Sequence, residues 1–241
     1  MLEKILDHER DLFLFLNSLQ SQFGDQFMWL FSGKIAWVPA SLLFIVILLF
    51  LNRQRWKEVL LIFVAIALVI TLCDQFASSF CKPFFARLRP THHPYFMNEV
   101  RTVFDYKGGL YGFISSHATN AFGFATLTSL IFKNRLYTIT IFLWAIVNSY
   151  SRIYLGVHFI SDVVSGIVVG LVFGFFVFAL LGLLHNKLFL VKAYLIPENI
   201  SNYEIFPQKG ITLCAYILIL TFVIIAILSL LYSFNYIDAI H

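Results

Sequence analysis

Three short polar stretches interrupt an otherwise apolar chain, and each holds side chains that could do chemistry. KPFFARLRP carries Lys82 and Arg89, ISSHATN carries Ser115, Ser116 and His117, and SRIYLGVHFISD carries Arg152, His158 and Asp162. Lys82, Arg89 and Arg152 are fixed positive charges. Arginine forks match the oxygens of a phosphoryl group, and lysine adds a point charge. Ser115 stands where a helix is expected to begin, so its hydroxyl and the free N–H groups of Ser116 and His117 are expected to point at an anion. A phosphate is the guest that suits this set. His158 and Asp162 are four residues apart and share a face if a helix starts by His158. The carboxylate would then fix the imidazole tautomer and leave the other ring nitrogen to attack phosphorus. His117 remains to protonate the leaving oxygen, and the three cations to stabilise charge on the equatorial oxygens. The expected course is a phosphohistidine intermediate hydrolysed by water. No carboxylate cluster is available to hold an ion, so neither metal nor cofactor is expected.

These residues need a membrane scaffold to hold them. The chain has 241 residues, 60% hydrophobic and 12% charged, with mean hydropathy +0.83; a soluble domain carries about 25% charged residues. The apolar runs are continuous, which predicts an all-α polytopic bundle and not a barrel. Six spans are expected, near 33–52, 58–80, 117–133, 136–151, 159–184 and 211–233. The charged opening MLEKILDHERDLFLFL does not read as a cleavable signal peptide. Residues 1–24 are expected to form an amphipathic helix on the bilayer surface, with Ile5, Leu6, Leu12, Phe13, Leu16 and Leu19 as its apolar residues. The segment 185–210 reads as a linker, and the last span is expected to stand apart. The domain division is therefore a core at 1–185, with a five-span bundle at 33–184, and an addition at 186–241. The end of the second span, the start of the third and the junction of the fourth and fifth all fall on one membrane face. The polar stretches can therefore converge on one pocket, and buried cations near a bilayer mark function. The loop Asn52–Lys57, with Arg53, Arg55 and Lys57, is expected to be cytoplasmic, which puts the motifs and loop 81–113 outside.

The three stretches together resemble the signature of the type-2 phosphatidic acid phosphatase superfamily, which includes bacterial membrane lipid phosphatases and the vanadium haloperoxidases. Lys-x6-Arg-Pro (Lys82 to Pro90) and Ser-Arg-x5-His-x3-Asp (Ser151 to Asp162) match throughout. The middle motif departs from Pro-Ser-Gly-His, with Ile114 for proline and Ser116 for glycine. The resemblance covers residues 1 to about 185. It implies that His158 is the nucleophile, oriented by Asp162, that His117 is the general acid, and that Lys82, Arg89, Ser115, Ser116 and Arg152 hold the phosphate.

Other features read more plainly. His92 and His93 are adjacent with no third ligand evident and are expected on the loop surface. The glycines of KGGLYGF read as a turn before the third span. Arg101 and Lys107 are possible headgroup contacts, and Asp74 is expected to be a paired structural residue. Cys73, Cys81 and Cys214 form no CxxC pair and read as buried small apolar side chains. The net charge of +4, without a basic block, gives nucleic acid nothing to hold. The sequence thus points to a lipid phosphatase of the bacterial inner membrane, working on its periplasmic face. Its partners are the bilayer and a lipid phosphate: a lipid A phosphate, undecaprenyl pyrophosphate, phosphatidylglycerophosphate or phosphatidic acid. Phosphoryl transfer to another lipid, or a non-catalytic lipid-binding or transport role, are the alternatives. The two similar halves of a transporter are not seen, and both histidines a dead binder would lose are present.

Overall fold

The computed structural model describes residues 2–51, 53, 56–189 and 207–238, and among these the chain is helical, with one isolated bridge between Leu88 and Tyr111. Helices α1 (Leu2–Ser18) and α2 (Gln22–Ser32) lead through a 3₁₀ turn into α3 (Val38–Leu51). Helix α4 (Trp56–Asp74) passes through a π-helical stretch, Gln75–Cys81, into α5 (Lys82–Phe85). Then come α6 (Ser116–Phe132), α7 (Arg135–Tyr154), α8 (Ile160–Phe189) and α9 (Gln208–Asp238).

The α4–α5 rod runs unbroken from Trp56 to Phe85. The second span therefore extends past its expected end at 80, and Lys82 sits on its last turn. Ala86, in the left-handed region at φ 44°, stops it. The widened π turns shift the helical phase of the residues that follow, a device that recurs at functional sites. This rod, Ile160–Leu184 and Gln208–Ser233 are long and apolar enough to cross a membrane; α2 and α3, bent by 69°, make a fourth if taken as one span. Helices α6 and α7, expected as the third and fourth spans, differ from these. Helix α6 has 17 residues, about 25 Å at 1.5 Å per residue, and α7 ends in the polar Asn148, Ser149, Ser151 and Arg152, all buried.

Helix α6 is the centre of the bundle, covered by α4, α7 and α8. Its closest neighbour is α8, whose Gly166, Gly170 and Gly174 lie one turn apart. A Cβ on them would stand 2.7 Å from Ser115 O, 2.5 Å from Thr119 O and 2.6 Å from Thr126 Cβ. Backbones approach this closely only over small residues, and the approach fixes Ser115 beside Asp162. Helix α9 does not stand apart as expected. It packs on α2, α3 and α7, and its Ile211, Cys214 and Ala215 share a core with Leu48, Val59 and Tyr137. Arg55 and most of the 185–210 linker lie outside the described residues.

Helix α1 has two different faces. Leu6, Glu9, Phe13 and Asn17, spaced by three or four residues, are buried against the rest of the fold, while Leu12, Phe15 and Leu19 beyond them are exposed. Asn17 Nδ2 donates to the carbonyls of Arg101, Ile153 and Tyr154 at 3.0–3.3 Å. The helix is therefore clamped across the loops at one end of the bundle, whichever surface its outer face meets.

Candidate active site

The three sequence stretches meet at that end. Ser115 N donates to Asp162 O at 3.0 Å, His158 N to Arg152 O at 3.3 Å, and Lys82 Nζ to Ser116 Oγ at 2.7 Å. A cavity of about 680 Å³ opens between them, with Lys82, Arg89, Ser116, His117, Arg152 and His158 at its head. It continues into the bundle between α3, α4, α6, α7 and α9, where Phe63, Ile66, Phe124 and Ile141 make its walls apolar. Asp74 is on the same wall, where Ser78 Oγ and Asn120 Nδ2 donate to it at 3.4 and 3.5 Å.

His158 reaches this cavity from a turn. Helix α7 ends at Tyr154, Gly156 adopts φ 73°, and the amides of Val157 and His158 return to Arg152 O. Helix α8 begins only at Ile160, so the pair does not share a helical face as expected. Instead Asp162, in the first turn of α8, bends back to the loop before it. Its Oδ2 accepts from Phe159 N at 3.0 Å and faces His158 Nδ1 at 3.4 Å. With Nδ1 engaged, Nε2 is the free ring nitrogen. Burial, together with Arg89, Arg152 and Lys82, pushes the pKa of His158 well below the ordinary imidazole value, against an opposing hydrogen bond to the Gly112 backbone. The ring is thereby kept neutral, the form with a lone pair to give.

The cations are held by the backbone and by aromatic rings. Arg89 Nε donates to Tyr111 O at 3.1 Å; burial and the neighbouring Arg152 lower its pKa, and Tyr106 and Asp162 oppose this. The Arg152 guanidinium lies 5.8 Å from the Tyr106 ring centroid. Its Nε is buried and has no partner among the described residues, as a donor kept for an anion would be. Ser116, where the family has glycine, is used: its hydroxyl meets both Lys82 and Ser78, the latter at 2.9 Å. Ile114, where the family has proline, packs on Ala77 and Cys81 of the π stretch.

Not every expected residue faces the cavity. Ser115 Oγ caps α6, accepting from Ala118 N at 3.5 Å, and is fully buried away from the lining. Arg101 and Lys107 are exposed and outside the lining, and their backbones are tied to Asn17 and Thr91. His93, expected on the surface, is buried against Phe96 and Phe159.

No motif marks Arg87, Glu9 and Tyr106, which also border the site. Arg87 Nη1 donates to Asp162 Oδ1 at 2.7 Å, on the side of the carboxylate away from His158. Gly112 belongs to the site and not merely to a turn. Its N donates to Arg87 O at 2.9 Å, and a Cβ there would stand 2.8 Å from Asp162 Oδ2 and 3.2 Å from Arg89 Cγ. Gly112→Ala is expected to cut kcat by about tenfold or more, because small misplacements of a reacting group carry such costs. Assay of phosphate release beside the melting temperature would check it, and an unchanged rate would show that the site tolerates the methyl.

A family model described as the PAP2 superfamily matches residues 59–185, which contain all three motifs. A lipid A 4'-phosphatase of Porphyromonas gingivalis is 50% identical over 179 residues, covering 73% of this chain and 74% of that protein. A lipid A 4'-phosphatase of Bacteroides thetaiotaomicron is 43% identical over 174 residues, covering 70% and 75%. The crystal structure of Aquifex aeolicus LpxE is 27% identical, with a TM-score of 0.52, over 71% of this chain and 94% of that one.

Proposed function

The chain belongs to the PAP2 superfamily and is a membrane lipid phosphatase, and we propose that it removes the 4'-phosphate of lipid A through a phosphohistidine intermediate. The observation that carries this reading is the shape of the cavity, cationic at its head and apolar along its body. A water-soluble phosphate ester would have no use for the apolar part. A lipid would seat its phosphate among Lys82, Arg89 and Arg152 and lay part of a chain against Phe63, Ile66 and Phe124. The volume falls within the range of about 300–1,000 Å³ for small-ligand pockets, enough for a headgroup and the start of a chain. The names of two relatives, both lipid A 4'-phosphatases, support lipid A among the envelope lipid phosphates that the motifs alone allow.

In this mechanism His158 Nε2 attacks phosphorus while Asp162 holds the proton on Nδ1. The phosphorus–oxygen bond to the sugar breaks, and His117 protonates the departing oxygen. Water then attacks the phosphohistidine, with His117 now taking its proton, and inorganic phosphate leaves. Lys82, Arg89, Arg152 and the first-turn amides of Ser116 and His117 neutralise the phosphoryl oxygens in both steps. The cations supply the electrostatic stabilisation, so no metal is invoked. Lys57 and Lys82 lie at opposite ends of the α4–α5 rod, about 37 Å apart at 1.5 Å per residue. With the basic loop at Arg53–Lys57 in the cytoplasm, the site faces the periplasm across the inner membrane.

Purified enzyme in detergent, given lipid A, undecaprenyl pyrophosphate, phosphatidylglycerophosphate and phosphatidic acid in turn, tests this. The expected result is phosphate release from lipid A, with the 4'-dephosphorylated product identified by mass spectrometry, undiminished by EDTA and blocked by orthovanadate. Vanadate accepts five ligands and so resembles phosphorus under in-line attack, which the site should bind more tightly than substrate. Preference for another lipid in the panel would overturn the substrate, and loss of activity in EDTA would overturn the mechanism.

A further inference from the structure

We propose that Glu9, on the N-terminal helix, is a positioning residue for the His158–Asp162 pair and acts through the Arg87 guanidinium. Arg87 sits between two carboxylates. Its Nη1 donates to Asp162 Oδ1 at 2.7 Å and to Ser161 Oγ at 2.6 Å, and its Nη2 donates to Glu9 Oε1 at 2.7 Å. Glu9 in turn accepts from Ser161 N through Oε2 and from Ser161 Oγ through Oε1, both at 2.7 Å. The side chains of Arg87, Asp162 and Glu9 are 1%, 0% and 9% exposed, and the guanidinium carbon lies 4.7 Å from the centroid of the Phe159 ring. These are short, water-excluded, charge-assisted contacts, the strong class, and they join α1 to the residue next to the catalytic aspartate.

The charge count gives Glu9 its role. Arg87 paired with Asp162 alone would form a closed neutral pair, drawing the carboxylate towards itself and away from His158. A second carboxylate on the same guanidinium leaves the trio with one net negative charge. That charge is available to His158 when phosphorylation of Nε2 makes its ring cationic. The planar fork also fixes Asp162 Oδ1, so that Oδ2 stays on the His158 side. Low local dielectric enlarges both effects. Glu9 touches neither substrate nor the reacting atoms, so its influence must pass through Asp162.

The proposal rests on the histidine mechanism above but not on the identity of the lipid. Its test therefore uses whichever lipid phosphate the wild-type enzyme hydrolyses. Full-length Glu9→Gln, which keeps the shape of the side chain, is compared with wild type, and the same substitution is compared in an Asp162→Asn background. Glu9→Gln is expected to lower kcat by about ten- to a hundredfold with KM within about twofold. In the Asp162→Asn background it should add less than about threefold, because residues acting as one unit are strongly non-additive. An equal loss in both backgrounds would overturn the proposal. So would an unchanged kcat with a lowered melting temperature, the mark of a merely structural ion pair. Should Glu9→Gln fail to fold, Arg87→Lys serves in its place. It keeps the charge but cannot reach both carboxylates in one plane, and a wild-type kcat in that variant would equally sink the idea.

Discussion

His158→Ala is expected to abolish turnover, by at least about 10⁴-fold, while the protein still folds and inserts. The estimate follows from removing a covalent nucleophile for which the site holds no substitute. Ser116 Oγ, a hydroxyl on the cavity wall, is engaged by Lys82 and Ser78. His117, in the first turn of α6, is assigned to the leaving group in the proposed mechanism. Folding should survive because Asp162 does not depend on the imidazole for its pairing. It keeps Arg87 Nη1 and Phe159 N as donors, so truncating the ring leaves no orphaned buried charge. The ring also lies on a cavity wall, where its loss enlarges an existing space and does not open a new void. Phosphate release and trapping of labelled phosphoenzyme, beside a melting curve, are the measurements. Residual hydrolysis within about tenfold of wild type would remove His158 as the nucleophile.

Much of the site was legible because its chemistry restricts residue types. Lys82, Arg89, His117, Arg152, His158 and Asp162 are polar side chains at the ends of apolar runs, and counting crossings was enough to bring them together. What supports them was less visible. Glu9 and Arg87 are defining residues of no motif. The available signal was the position of Glu9 on the same stripe as Leu6, Phe13 and Asn17, where a lone carboxylate needs a buried partner. The spacing of Gly166, Gly170 and Gly174 likewise announced a close helix contact without naming α6 as its partner. The π stretch at Gln75–Cys81 has no local signature, since QFASSFC suits an ordinary helix. Ser115 lies off the cavity lining for a simpler reason: a serine at a helix start can cap its own helix or face an anion, and here its oxygen accepts from Ala118 N. The length and apolar composition that mark three helices, or four with the bent pair, as able to cross a membrane do not mark α6, which is buried among its neighbours.

Asp162→Asn is expected to slow the reaction by about 10³- to 10⁴-fold, the scale of losing the orienting carboxylate in a comparable triad. An amide can present N–H instead of oxygen to His158 Nδ1, which selects the tautomer with its proton on Nε2 and its lone pair turned away from phosphorus. Unlike His158→Ala, this substitution should also lower stability. Asp162 is fully buried and accepts from Arg87 at 2.7 Å. Breaking a buried ion pair by removing one partner costs about 3–5 kcal/mol when the other charge is left alone. Arg87 is not left alone, because Glu9 and Ser161 remain within 2.6–2.7 Å. The loss should therefore fall below that range, and the variant should be less stable yet still folded. The two consequences separate the two faces of the carboxylate. Oδ2 serves the imidazole and acts on kcat alone, whereas Oδ1 serves Arg87 and acts on the melting temperature and, by keeping Oδ2 on the His158 side, on kcat as well. A variant with unchanged kcat would show that Asp162 does not orient His158. One with low kcat and an unchanged melting temperature would show that the Arg87 contact contributes nothing net to the fold.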